Sequence, residues 1–370
     1  MKIENNHDPL FTVFKRENIT KKQQFLIRFI AVFTSILFSI ILCSIIVKKD
    51  PFSVLGIIFQ GVFIDPWRFL ENSALLLAFG VAIIAPFKMR YWNMGAMGSV
   101  MVSALASYVL INIFKNWVDN EGGSNALLLL MMFTASIIAG IIWSIIPAIF
   151  KALFNTNETL FTLMMNYIAS ALTLYVNYIM AKEQKLNPGI VSFYAGFFPT
   201  IIAPQFVPIV VIIIITVLMT IYMNKTKHGY EISVLGDSPK TAQYVGMKNK
   251  KIIIRTLVLS GLICGILGFL YISCKDHMAS DSTGGSYGFT GVLVGWLSNF
   301  NTITMAIVSM FLTFITIGTE KVCSVSNVGN SYISSIVVGI IFFSILISEF
   351  FIRYRLVIKN KKNVDTGGVR

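Results

Sequence analysis

The chain has 370 residues, 55% of them hydrophobic and only 13% charged. Soluble domains carry about a quarter charged residues, so this composition excludes an ordinary water-soluble fold. A net charge of +13 would suit nucleic acid in a soluble protein, but several apolar runs of more than about 18 residues make it the mark of a membrane protein with basic loops and no nucleic-acid partner.

Residues 1–24 form a polar, basic tail, with Lys15, Arg16, Lys21 and Lys22 just ahead of the first apolar run. That run, 25–47, is longer than the core of a secretion signal and has no small-residue cleavage site, so it is predicted to span the membrane. The positive-inside rule places the tail in the cytosol. The apolar stretch 51–63 is expected to lie along the lipid interface, anchored by Trp67. Further spans are predicted at 70–87, 94–114, 126–150, 159–181, 201–223 and 252–272. Outer loops are expected at 115–125 and 182–200, and a basic inner loop at 224–251.

The last third holds three apolar pieces, 287–299, 302–317 and 331–352. Joined as one tilted helix, the first two give nine spans and an outer C-terminus. Broken at 299–301, they give ten. The tail 353–370 carries Arg353, Arg355, Lys359, Lys361, Lys362 and Arg370, so charge bias selects ten spans with both ends cytosolic. The expected fold is an all-α polytopic transmembrane helical bundle, with a membrane domain at 25–352 between the two tails. Five spans on either side of 182–200 are compatible with an inverted repeat.

Nothing in the chain points to an enzyme. It has no GxxxxGK[ST] phosphate cradle, no HExxH and no GxSxG. His7, His228 and His277 are far apart, and Cys43, Cys264, Cys274 and Cys323 have no metal or disulfide spacing. No cofactor or metal is expected on this chain. Within the spans only Glu349 is a deep carboxylate, and Arg353 lies one helical turn away as its partner.

Four stretches interrupt the apolar pattern. In the 224–251 loop, Pro239 suits the first turn of a short helix capped by Asp237 or Ser238, with Ala242 on one face and Gly246 after it. The loop is either a partner surface or a linker whose local helix ends at Gly246. Gly261, Gly265 and Gly268 follow in the next span and favour tight helix packing. The stretch RYWNMGAMGS, 90–99, places Asn93, Gly95 and Gly98 at the start of a span, either as a capped turn or as unwound backbone lining a cavity. In NTNETLFTLMMNYIA, 155–169, Thr156 or Asn157 can cap the helix, with Glu158 favoured by its dipole. Asn166, inside the apolar run, requires a hydrogen-bonding partner. In SYGFTGVLVG, 286–295, the glycines suit either a broken helix beside a substrate path or close helix packing.

These stretches resemble the permeases of ABC importers, in the branch for simple sugars and purine nucleosides. The 155–169 stretch is similar to the signature Asn-Glu, five spacers, Met-x-Asn-Tyr-Ile-Ala of the nucleoside permeases: Asn157, Glu158, Met164, Asn166, Tyr167, Ile168 and Ala169 match in register. In 90–99, Asn93, Gly95, Ala96 and Gly98 match a Phe-Asn-Ile-Gly-Ala-Glu-Gly-Gln motif, whereas Trp92, Met97 and Ser99 depart from it. Tyr287, Gly288, Phe289, Gly291 and Val294 fit a third motif. Gly229, Gly236, Ala242, Gly246, Ser260 and Gly261 fit the loop that docks on the ATPase, although Lys240 and Thr241 replace its usual Glu-Ala. The resemblance implies a nucleoside permease subunit, with ATP used by a separate ATPase. It implies ATPase contacts at Gly229, Gly236, Pro239, Lys240, Ala242 and Gly246. It implies a substrate path along Trp92, Asn93, Gly95, Asn157, Glu158, Asn166, Tyr287 and Phe289. Its partners would be the ATPase, a second permease in a heterodimer, an extracytoplasmic substrate-binding protein and the lipid of a bacterial cytoplasmic (inner) membrane. The alternatives are a permease for sugars such as pentoses, or a self-contained ion-coupled carrier.

Overall fold

The computed structural model describes residues 11–16, 20–120, 123–184, 196–199, 203–325 and 332–358. The expected outer loop 182–200 and the ends of both tails lie largely outside the described residues. The chain divides into two compact units, residues 1–61 with 315–370, and residues 62–314. Among the described residues nine helices are long and apolar enough to cross a membrane. The protein is a polytopic all-α membrane bundle.

In the first unit, α1 (Lys21–Val47) opens on a capping box: the Thr20 hydroxyl accepts from Gln23 N while the Gln23 side chain accepts from Thr20 N. It packs beside α13 (Tyr332–Arg353). Arg28 donates to Glu349 at 3.0 Å and Arg353 donates to the same carboxylate at 3.1 Å. The Glu349–Arg353 pair is therefore present, and Arg28 is a partner that helical spacing could not reveal. Two short strands flank these helices. β1 (Phe11–Lys15) pairs antiparallel with β2 (Tyr354–Ile358), Phe11 opposite Ile358 and Lys15 opposite Tyr354. The segment entering α1 and the segment leaving α13 are thus joined on one side.

The apolar stretch after α1 forms α2 (Pro51–Ile64), 14 residues or about 21 Å, too short to cross a hydrocarbon layer of about 30 Å. Val54 and Ile58, one turn apart, are buried, while Phe52 is exposed. A Cβ on Gly61 would lie 2.6 Å from Lys321 Cβ, and one on Gly318 would lie 2.5 Å from Ile58 Cγ2. The two glycines let α2 and the end of α12 (Thr302–Val325) touch backbone to backbone.

The second unit is built on α3 (Pro66–Lys88), α4 (Ala96–Asn120) and α10 (Asn249–Leu270), its most buried spans. α10 continues as a π-helical turn, Tyr271–Lys275. Around them lie α5 (Asn125–Phe154), α6 (Glu158–Gln184) and α7 (Phe206–Lys225), whose outer faces are largely aliphatic. The expected glycine packing of α10 is present. A Cβ on Gly261 would sit 2.6 Å from Gly140 O, one on Gly265 2.6 Å from Ile137 Cα, and one on Gly268 2.5 Å from Ser103 Cβ. Serines stitch the same seam: Ser136 Oγ donates to Gly265 O at 2.7 Å and to Ser103 O at 3.1 Å.

α11 (Tyr287–Leu297) is only 11 residues long. Yet Lys275, before it, donates to Asn72 near the start of α3 at 2.9 Å, and Phe300, after it, packs 5.8 Å from Phe87 at the end of α3. Residues 275–300 therefore run alongside α3 from its second turn to its end. The expected break at 299–301 is a left-handed turn, with φ of 48° at Asn299 and 58° at Phe300.

Candidate functional site

The unwound start of α4 is held by its own Asn93 and by side chains from two helices, α6 and α10. Asn166 on α6 accepts from Gly98 N at 2.9 Å and donates to Met94 O at 2.8 Å. One turn earlier, Thr162 accepts from Met94 N at 3.1 Å. Asn93 is buried; it accepts from Gly95 N at 3.0 Å and donates to Ser260 Oγ of α10 at 3.4 Å. Met94 N, Gly95 N, Gly98 N and Met94 O, freed by the late helix start, are thereby satisfied within the protein, as an apolar setting requires. Gly95 and Gly98 make this clamp possible, since a Cβ would meet Thr162 Cβ at 3.1 Å or Asn166 Oδ1 at 2.7 Å. Met97, beside the clamp, abuts the first turn of α11: a Cβ on Gly288 would lie 2.7 Å from Met97 Cβ.

Of the residues read as a substrate path, the structure brings Asn93, Gly95 and Asn166 together and sets the rest around them. Trp92 belongs to an aromatic cluster, with ring centroids 5.2 Å from Phe87 and 5.2 Å from Trp296. Asn157 caps α6 by accepting from Leu160 N at 3.2 Å. Glu158 pairs with Lys151 at 2.7 Å. Tyr287 lies 5.4 Å from Lys275 Nζ, and Phe289 is half-exposed. Gly291 lets α11 rest on α3, where a Cβ would lie 2.8 Å from Phe79 Cβ.

The basic loop folds as α8 (Lys227–Asp237) and α9 (Pro239–Tyr244). Ser238 caps α9 by accepting from Thr241 N at 3.2 Å, with Pro239 in the first turn. Gly229 and Gly236 are buried within this chain: a Cβ on either would collide with backbone, of Met223 or of Lys88. Ala242 is also fully buried. The outer surface of α9 is instead Lys240, Gln243 and Tyr244, followed by Val245. Tyr244 is 90% exposed, and Gly246, at φ 81°, has open space around it. Arg255 of α10 donates to Glu231 of α8 at 2.8 Å, which holds the Glu231 carboxyl below its ordinary range. A cavity of about 500 Å³ opens beside this elbow, lined by Arg90, Tyr91, Lys151, Glu158, Gly236 and Pro239 among others.

One polar cluster escaped the sequence reading. Glu71 and Asn72 of α3 are buried, and Glu71 Oε1 has no hydrogen-bond partner among the described residues. Lys275 bonds Asn72 and lies 5.0 Å from the Tyr271 ring. The available signal was a Glu-Asn pair within the first two turns of a predicted span and a Lys-Asp pair at the end of another.

Comparison with known proteins identifies this architecture. The chain is 24% identical over 326 residues to the glucose ABC transporter permease protein TsgB13 of Haloferax volcanii, covering 83% of each chain. It is 26% identical over 295 residues to the guanosine ABC transporter permease protein NupP of Bacillus subtilis, covering 77% of this chain and 82% of that one. It is 22% identical over 287 residues to the nucleoside ABC transporter permease protein NupB of Lactococcus lactis, covering 74% and 77%. No solved structure matches the chain. Residues 68–346 match the model of the branched-chain amino acid transport system / permease component family, and the chain, a transporter permease and not an enzyme, belongs to that family.

Proposed function

We propose that this chain is the permease subunit of an ABC importer that moves nucleosides, purine nucleosides foremost, across a bacterial cytoplasmic membrane. The observation that carries the reading is the Asn-Glu to Asn-Tyr-Ile-Ala signature on α6, whose Asn166 clamps the unwound start of α4. The similarity to guanosine and nucleoside permeases supports it. Ten passages place both ends in the cytosol, with 25–352 as the permease domain and 224–251 as its coupling loop. A separate ATPase docks on the α8–α9 elbow and uses ATP to drive alternating access. A second permease completes the path, and an extracytoplasmic binding protein delivers substrate. The elbow is suited to transmit motion because it is wedged on its own bundle by Gly236 and Ala242 while Tyr244 and Val245 face outward.

A second reading, a sugar permease, is favoured by the similarity to a glucose permease over 83% of the chain. ATP-dependent uptake by the reconstituted complex, screened over nucleosides and free sugars, decides between them. Uptake of guanosine or adenosine in preference to ribose is expected. Uptake of free sugar alone would overturn the nucleoside reading, and uptake that an ionophore abolishes at constant ATP would overturn both.

A further inference from the structure

The exposed faces of the spanning helices differ in one respect. α7 presents Ile213, Ile214, Val217, Leu218 and Ile221, as a lipid-facing span does. α6 presents aliphatic side chains too, Leu160, Ile168 and Leu174 among them, but sets between them Tyr167, Tyr175 and Tyr178, which are 71%, 63% and 64% exposed. Among the described residues, every exposed tyrosine within a spanning helix is on α6. Depth makes this informative. The span is bounded by Glu158 and Lys182, about 36 Å apart at 1.5 Å per residue, so Tyr167 and Tyr175 lie only about 5 and 8 Å from its middle. Interfacial tyrosine belts sit at the headgroup level, about 15 Å from the middle. A phenol facing hydrocarbon there loses its hydrogen bonds to water. The opposite face of α6 is pinned: Thr162 and Asn166 bind the start of α4, and Asn177 donates to Ala279 O at 2.7 Å. The tyrosines are therefore held outward on a fixed helix.

We propose that the tyrosine face of α6 lines the aqueous translocation path and that Tyr167 and Tyr175 stack on the base of the passing nucleoside. This rests on the nucleoside reading above. A phenol ring offers an apolar face for a nucleobase and a hydroxyl that water can satisfy, so the same residues wet the path and prefer an aromatic cargo. The contact distinguishes nucleosides from free sugars, which have no π face to stack.

Two measurements on the complete importer in cells test the proposal. The four native cysteines are buried, so single cysteines at 167 and 175 can be probed with a membrane-impermeant thiol reagent, with position 217 of α7 as the lipid-facing control. Positions 167 and 175 should react and be protected by guanosine, whereas 217 should not react. Failure of both to react would overturn the aqueous path, as would disulfide cross-linking of 167 to a neighbouring subunit. In the second measurement, Tyr167→Leu should raise the KM for guanosine about tenfold, the scale of one base–aromatic stack, and Tyr167→Phe should leave it near wild type. An unchanged KM in Tyr167→Leu, with guanosine transported, overturns the stacking role while sparing the nucleoside reading. A wild-type complex that moves only sugar, with labelling blocked by sugar and not by guanosine, overturns both.

Discussion

Asn166 shows how one polar side chain can decide a local structure. Its carboxamide satisfies a backbone donor and a backbone acceptor at once, Gly98 N and Met94 O. Asn166→Leu would strand both in an apolar setting, at about 1–3 kcal/mol for each group. The expected outcome is a purified protein whose melting temperature falls and whose uptake is lost, at normal membrane insertion; unchanged uptake at wild-type expression would contradict the clamp. Gly236 makes a steric demand instead. A methyl group there runs into the carbonyl of Lys88. Gly236→Ala should therefore displace α8 from α3 and lower stability by about 1–3 kcal/mol, the usual scale of overpacking, read as a lower unfolding temperature in detergent.

At the scale of elements, the α8–α9 elbow combines an inner face fixed to the bundle with an outer face left exposed among the described residues. Tyr244→Ala removes a side chain that is 90% exposed, so any lost function belongs to an intermolecular contact. ATPase recovery with the permease should fall several-fold while the permease itself remains stable, and Gly246→Trp should act in the same direction; full recovery with normal uptake would remove the docking assignment. The Glu231–Arg255 pair ties the elbow to α10. Because the folded carboxyl titrates below its ordinary value, its contribution is complete above the unfolded pKa and is lost as pH falls through the lowered folded value. Thermal stability should fall through that acid window, and Glu231→Gln should flatten the dependence.

For the whole molecule, the pairing of β1 with β2 constrains topology more directly than loop charges do. It joins the approach to α1 to the exit from α13, so the passages between them must be even in number. Nine long helices among the described residues are odd, and the proposed ten-passage reading, with residues 275–300 as the tenth, meets that parity. A cysteine placed at 365 is expected to resist an impermeant reagent in intact cells and to react after permeabilisation. Labelling in intact cells would put the ribbon on the outer side and refute cytosolic ends.

Much of this architecture was legible in the order of residues because its causes are local. Apolar runs of membrane length define spans whatever they pack against. Ser238 with Pro239, and Asn157 before Glu158, cap helices through groups three residues away. Small residues in α10 marked a close seam before its partner was known. What the tertiary structure decided is which face of each helix turns inward, and that depends on segments distant in sequence. Asn166 was marked by its polarity, but its partners lie 68 and 72 residues away. The strands around α1 and α13, and the bond of Lys275 to Asn72, 203 residues apart, leave almost no local trace. Ala242 and Tyr244 sit two positions apart on one short helix, yet the first is sealed in the bundle and the second is open. Helical spacing placed them on different faces, and only the packing of α9 on its neighbours determined which face was free.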